Sequence, residues 1–348
     1  MRDYLDELRS TVRSVVAGHL ATDSFPDASL DLELWNSLRE LDLIGLGASE
    51  QVGGAGGDLI DSCTVLGELL SARVPYAEAT VVAAPALSES GLELPQGTFT
   101  SASGEVEVVG GRLTGVVASV PFARDCDTLV LLSSGVNPSL LVISLSEVGV
   151  SIEDHQNLAD EARDTVALVD VAVVAQASVT QEFVETWKLR EALSRVVASA
   201  GVAAALVDQT ASYALERSQF GRPLMKFQVI QHGLASMAAD ATAMQVAAIS
   251  AATAVNDGDS NALVMVAAAK AESASLVRRV TTTAQQTHGA IGFTREYSLG
   301  ALTTRLWAWR EEYGNERYWA FKLAEAARGR DLWEFVTGIP VQPGNSTV

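Results

Sequence analysis

Apolar positions recur at helical spacing from residue 3 to about 92: Leu5, Leu8, Val12, Val15 and Val16 fall near i, i+3 and i+4 intervals, and Leu34, Leu38 and Leu41 repeat the pattern. This predicts a helical domain over 1–95. Between 96 and 180 the texture changes to short runs rich in Val, Leu, Thr and Ser, at 106–109, 128–132, 140–143 and 165–174, separated by turn residues such as Gly110-Gly111 and Asn137-Pro138. A small antiparallel β domain is expected there. From Gln181 long Ala-rich helical patterns return over about 183–217, 226–256, 260–288 and 302–328, with few breakers, which predicts a four-helix bundle over 181–336. The last stretch, 337–348, carries Pro, Gly, Asn and Ser with little to bury and reads as a flexible tail. The fold class is therefore mainly α with a small β domain, in the order helical domain, β domain, bundle.

Charge and cysteine usage narrow the function. Asp and Glu number 43 against 24 Lys and Arg, a formal charge of -19 over 348 residues, so a nucleic-acid backbone or an anionic lipid surface is repelled. Cys63 and Cys126 form no CxxC pair, and His19, His155, His232 and His288 form no HxxxH pair, which leaves no metal site or disulfide framework to expect. The N-terminus carries acid where a signal peptide needs base, and no stretch reads as the roughly 18 apolar residues of a spanning helix. A reducing, cytoplasmic location without membrane partners is expected.

Three segments invite chemistry. Gly53-Gly54-Ala55-Gly56-Gly57-Asp58 is glycine-rich, yet no Lys-Ser/Thr follows it, so a flexible loop between helices fits better than a phosphate loop. Arg217-Ser218-Gln219-Phe220-Gly221-Arg222-Pro223 ends one helical run before Phe227-Gln228 begins the next. Arg217 there offers a planar fork suited to a diphosphate, or simply neutralises a helix C-terminus. The third is Gln286-Thr287-His288-Gly289-Ala290-Ile291-Gly292-Phe293-Thr294-Arg295-Glu296-Tyr297.

The string Arg-x-Gln-Phe-Gly-x-Pro-x-x-x-Phe-Gln resembles the most recognisable motif of the acyl-CoA dehydrogenase family of flavoproteins. The segment from Gln286 is similar to that family's Gln-x-x-Gly-Gly-x-Gly-Phe-x-x-Glu-Tyr, with Ala290 where a glycine is usual. Leu43-Ile44-Gly45-Leu46 followed by Glu50 to Gly56 resembles a third pattern without its proline. The resemblance implies a FAD-binding bundle in which Arg217, Gln219, Phe220, Gln286, Gly289, Ala290 and Gly292 hold the pyrophosphate and adenosine end of a cofactor lying across a subunit interface. It also implies α,β-dehydrogenation of an acyl-CoA thioester, with an electron-transfer flavoprotein reoxidising the flavin.

The family's Thr-Glu-Pro-x-x-Gly-Ser segment, which packs on the flavin ring, has no counterpart between 96 and 180. Leu113 to Asp127 resembles a later hairpin of that domain. Such shortened chains resemble one subunit of the heteromeric dehydrogenases that actinobacteria use on sterol side chains and other bulky thioesters, which implies a second, unlike subunit in a heterotetramer. The family's usual catalytic base falls at Tyr313, within Glu312-Tyr313-Gly314-Asn315. A minority places the glutamate on the first long bundle helix, where the matching position is Glu191. Glu191 is thus the candidate base and Glu312 the runner-up, although Glu191 also suits an i+4 pair with Arg195. Trp307, Trp309, Trp319 and Tyr318 read as core or interface, and His232 and His288 as packing residues. Two rivals stand beside the catalytic reading: a non-catalytic subunit that completes a partner's FAD site, and a flavin monooxygenase of the same fold.

Overall fold

The computed structural model describes residues 4–19, 29–70, 73–294 and 297–337. Of the tail expected over 337–348, residues 338–348 lie outside them, as do Arg295 and Glu296 of the third motif, while Thr337 closes a helix. Three helices open the chain: α1 (Tyr4–His19), α2 (Leu32–Glu40) and α3 (Leu59–Glu68). Each turns its apolar stripe inward, with Leu5, Val12 and Val16 buried on α1 and Leu34, Trp35 and Leu38 on α2. The glycine-rich stretch before α3 is a packed turn and not the expected flexible loop. Ala55 N–H donates to Gly45 O and Gly56 N–H to Ala48 O, each at 2.9 Å. A Cβ on Gly54 would stand 2.3 Å from Ala48 O, so the close backbone approach demands glycine. Asp58 then caps α3 in a capping box with Asp61. A fully buried π-helical segment, Ala77–Ala83, runs into α4 (Ala84–Glu89).

Eight strands follow: β1 (Phe99–Gly104), β2 (Val106–Val109), β3 (Arg112–Pro121), β4 (Thr128–Ser133), β5 (Ser139–Ser144), β6 (Val150–Glu153), β7 (Arg163–Ala172) and β8 (Ala175–Ser178). They form two four-stranded sheets, ordered β1-β4-β5-β8 and β2-β3-β7-β6. The pair β1–β4 is parallel, which departs from the antiparallel expectation. The cause is the β2–β3 hairpin: it lies in the other sheet, so the chain re-enters the first one in its original direction. Leu129, Leu131, Leu141 and Ile143 pack between the sheets with Leu113, Val117, Val166 and Val171. Val130, Leu132, Leu140 and Val142 face the helices on the opposite side. Burial on both faces explains why β4 and β5 read as unbroken apolar runs.

The bundle comprises α5 (Gln181–Glu216), α6 (Gln228–Asn256), α7 (Ala262–His288), α8 (Leu299–Glu311) and α9 (Glu316–Ala327), with α10 (Leu332–Thr337) at its end. A two-residue ribbon, β9 (Ser218–Gln219) with β10 (Arg222–Pro223), joins α5 to α6. The run expected as one helix over 302–328 is two, because Tyr313 (φ 53°) and Gly314 (φ 93°) adopt left-handed backbone and Asn315 caps α9. By length and composition α6 could cross a membrane, contrary to the sequence expectation for every stretch. Here it packs on α5 and α7, with 39% of its most apolar window buried.

Candidate active site

The candidate cofactor-holding residues gather at one end of the bundle, where α5 and α7 both terminate. Tyr213, in the last turn of α5, stacks on His288, the last residue of α7, with ring centroids 4.2 Å apart. Arg217 caps α5 with its guanidinium exposed, and among the described residues no carboxylate lies within ion-pair distance of it. Gln219 and Phe220 follow in the β9–β10 turn, where Phe220 is left-handed (φ 51°) and 92% exposed. Gln286, Gly289 and Ala290 are exposed, and Gly292 is buried. Open space surrounds Gly289, and its positive φ (64°) turns the chain away from α7. An uncommitted guanidinium and a bare backbone turn, following two helix ends that the Tyr213–His288 stack joins, suit an anionic diphosphate, so the residues present fit a flavin nucleotide.

The acids proposed for catalysis sit in opposite environments. Glu191 is buried on α5, and its Oε1 accepts from Trp187 Nε1 at 2.8 Å and from Ser103 Oγ of β1 at 3.1 Å. Burial outweighs these bonds and the nearby Arg195, and pushes its pKa up to about 7. The i+4 pair with Arg195 does not form. Arg195 instead donates to Glu312 Oε2 at 2.6 Å and to Glu78 Oε1 at 2.5 Å. Glu312 also accepts from Arg163 Nε and Asn157 Nδ2, each at 2.8 Å. Despite burial, the two guanidinium groups hold its carboxyl down to about 2. Tyr313 donates to Glu78 Oε1 at 3.4 Å, and the Arg195 guanidinium lies 4.8 Å from its ring centre.

These contacts belong to a longer chain of alternating charge: Arg305, Glu161, Arg163, Glu312, Arg195 and Glu78. Arg305 Nε meets Glu161 Oε1 at 2.9 Å, and Glu161 Oε2 meets Arg163 at 3.0 Å. Trp309 Nε1 donates to the same Oε2 at 2.9 Å. Three cations neutralise three anions, which makes burial tolerable. Members come from the π segment, the β domain, α5, α8 and the turn after it, so the ladder ties all three regions together. Lys270 closes the end of α8 by donating to the Trp309 and Arg310 carbonyls, and burial pushes its pKa down to about 7. Sequence reasoning missed Glu78, Glu161, Arg163, Arg305 and Lys270, because apart from the Glu161–Arg163 pair their partners stand far away along the chain and leave no local spacing. Beside the ladder opens a cleft of about 720 Å³ between the β domain and α8, lined by Ser119, Asn157, Arg163, Trp307, Glu312 and Tyr313 among others. That volume suits a small-molecule site.

A helical domain, a β sandwich and a bundle with this grip define the acyl-CoA dehydrogenase class. Residues 3–93 match the acyl-CoA dehydrogenase N-terminal domain and residues 189–316 the acyl-CoA dehydrogenase C-terminal domain. The chain belongs to the acyl-CoA dehydrogenase family, whose members are oxidoreductases. It is similar to acyl-CoA dehydrogenase FadE34 of Mycobacterium tuberculosis, 29% identical over 280 residues, which cover 76% of this chain and 39% of FadE34. The chain thus spans well under half the length of that relative. Among solved structures it resembles the ChsE4–ChsE5 complex of Mycobacterium tuberculosis, with TM-score 0.82, 22% identity, and coverage of 98% of this chain and 99% of that one. The Tcur3481–Tcur3483 steroid ACAD is similar at TM-score 0.82 and 24% identity, over 93% and 97% of the two chains. At these identities the structures speak for the fold.

Proposed function

We propose that the chain is one subunit of an FAD-dependent acyl-CoA dehydrogenase that desaturates an acyl-CoA thioester between Cα and Cβ, with Glu191 as the base. One observation carries this reading: of the buried glutamates 78, 161 and 191 and the half-buried Glu312, Glu191 alone lacks a cation within ion-pair distance among the described residues. A carboxylate poised near neutrality both ionises and holds a proton at working pH, as a general base needs. Arg217, Gln219, Phe220, Gln286 and the Gly289–Gly292 turn would hold the nucleotide end of FAD, which supplies the hydride acceptor when bound. The heteromeric neighbours and the missing ring-packing segment support a second, unlike subunit; a bulky, steroid-like acyl group and an electron-transfer flavoprotein as oxidant extend the same reading. Glu191→Gln in the assembled oligomer should keep FAD and thioester binding while turnover falls by about 10³-fold, since an amide takes no proton.

A second reading, the non-catalytic partner, rests on a specific observation. Glu191 is absent from the lining of the cleft, whose wall here is Tyr313 and an already ion-paired Glu312. Turnover near wild type in Glu191→Gln would assign the base to the other subunit and this chain to completing its partner's FAD site.

A further inference from the structure

The two grip motifs lie on different helices, and a pair of aromatic rings joins them. Tyr213 stands one turn before Arg217, and His288 immediately precedes Gly289. Their rings are 4.2 Å apart and inclined by 24°. The Tyr213 hydroxyl donates to the His288 carbonyl at 3.3 Å, filling an acceptor that the end of α7 leaves without a helical partner. His288 Nδ1 lies 2.8 Å from the Ala284 carbonyl. A carbonyl can only accept, so Nδ1 carries the proton and the ring plane is fixed. His288 is 4% exposed and its Nε2 is buried without a partner. Protein interiors rarely leave such an atom orphaned, and here the ring keeps its place despite that cost.

The glycine turn packs closely against the Cβ of His288. A Cβ on Gly292 would stand 3.1 Å from His288 Cβ and 2.9 Å from Leu299 Cδ2, so the path of the turn follows the position of His288. Tyr297 flanks both rings, 5.3 Å from His288 and 6.4 Å from Tyr213. Gln209, one turn before Tyr213 on α5, donates to Ser298 Oγ at 2.8 Å. One face of α5 thereby holds both the start and the exit of the turn that follows α7.

We propose that Tyr213 and His288 form a clasp that fixes Arg217 relative to the Gly289–Gly292 turn, and so act as positioning residues for the flavin-nucleotide grip. The proposal rests on the reading that these two motifs hold the diphosphate and adenosine of FAD. Neither ring belongs to the ion ladder, so the clasp can be weakened without unpairing a buried charge.

The test measures FAD dissociation constants by flavin fluorescence in the oligomer as purified from its own cells, with helix content by circular dichroism on the same samples. Tyr213→Leu and His288→Ala should weaken FAD binding by about tenfold or more at unchanged helix content, as loss of an outer supporting contact does. Tyr213→Phe keeps the stack and should bind FAD close to wild type. Wild-type affinity in Tyr213→Leu or His288→Ala, with Arg217→Ala weakened, overturns the clasp and leaves the grip standing. Wild-type affinity in Arg217→Ala overturns the grip itself and the clasp with it. Should Tyr213→Leu not fold, His288→Ala decides alone; loss of helix content in both would make the contact merely structural and overturn the proposal.

Discussion

Two glutamates of the same chain show how environment sets chemistry. Glu191 has lost water and has only two neutral donors to offset that loss, so its pKa rises from 4.5 to about 7; Glu312 has lost water and gained two guanidinium groups, so its pKa falls to about 2. The stability consequences have opposite signs. For Glu191 the folded state clings to a proton that the unfolded chain releases, so stability is lost as pH rises from about 4.5 through 7, by about 3 kcal/mol at most. Glu191→Gln removes that loss, and its melting temperature relative to wild type should climb between pH 5 and pH 8 in calorimetry. A constant offset across that range would mean Glu191 is not held near neutrality. For Glu312 the stabilisation is present above about 4.5 and lost as pH falls through 2. Glu312→Gln should destabilise by about 3–5 kcal/mol in denaturant titration, because it leaves Arg163 and Arg195 buried with a charge uncompensated. The residue types were visible in the sequence; their opposite shifts were not, since every group responsible but Trp187 and Arg195 lies far away along the chain.

The elements that shape the site are helix ends. Between α8 and α9 the chain reverses through Tyr313 and Gly314, and the Tyr313 carbonyl accepts from Trp319 Nε1 at 2.9 Å. A Cβ on Gly314 would stand 2.6 Å from both Trp319 Nε1 and Tyr318 Cδ1, in a backbone conformation that already disfavours a side chain. Gly314→Ala should therefore cost about 1–3 kcal/mol in thermal or chemical unfolding and shift Tyr313 at the cleft wall. A variant as stable as wild type would show that the turn relaxes freely. The helical periodicity of 302–328 ran through this break because Glu, Tyr and Asn do not interrupt an apolar stripe; a single glycine is a weak stop without the aromatic neighbours that make it obligatory.

At the scale of the molecule, the ladder from Arg305 to Glu78 locks three regions into one frame, while the exposed Arg217, Phe220 and glycine turn face outward. The grip is therefore open to solvent, which leaves it free to be completed by the second subunit of the proposed assembly. Purified by itself the chain should carry little FAD, and with an unlike acyl-CoA dehydrogenase subunit it should gain flavin absorbance in proportion to complex formed. A yellow homo-oligomer with stoichiometric flavin and its own turnover would reject the shared site.

Periodicity determined the helices α1, α2, α5, α6 and α7, the strands β2, β4, β5 and β7, and the order of the regions, because amphipathic spacing is a property of neighbours along the chain. Motif residues determined the family resemblance, since a turn that bares its backbone admits few side chains. Tertiary structure decided the rest. It made one sheet pair parallel, sent Arg195 to Glu78 and Glu312 instead of Glu191, and set Tyr213 on His288. Each of these depends on which distant groups share a desolvated space, and Coulomb attraction and ring stacking act through space without leaving a trace in local spacing.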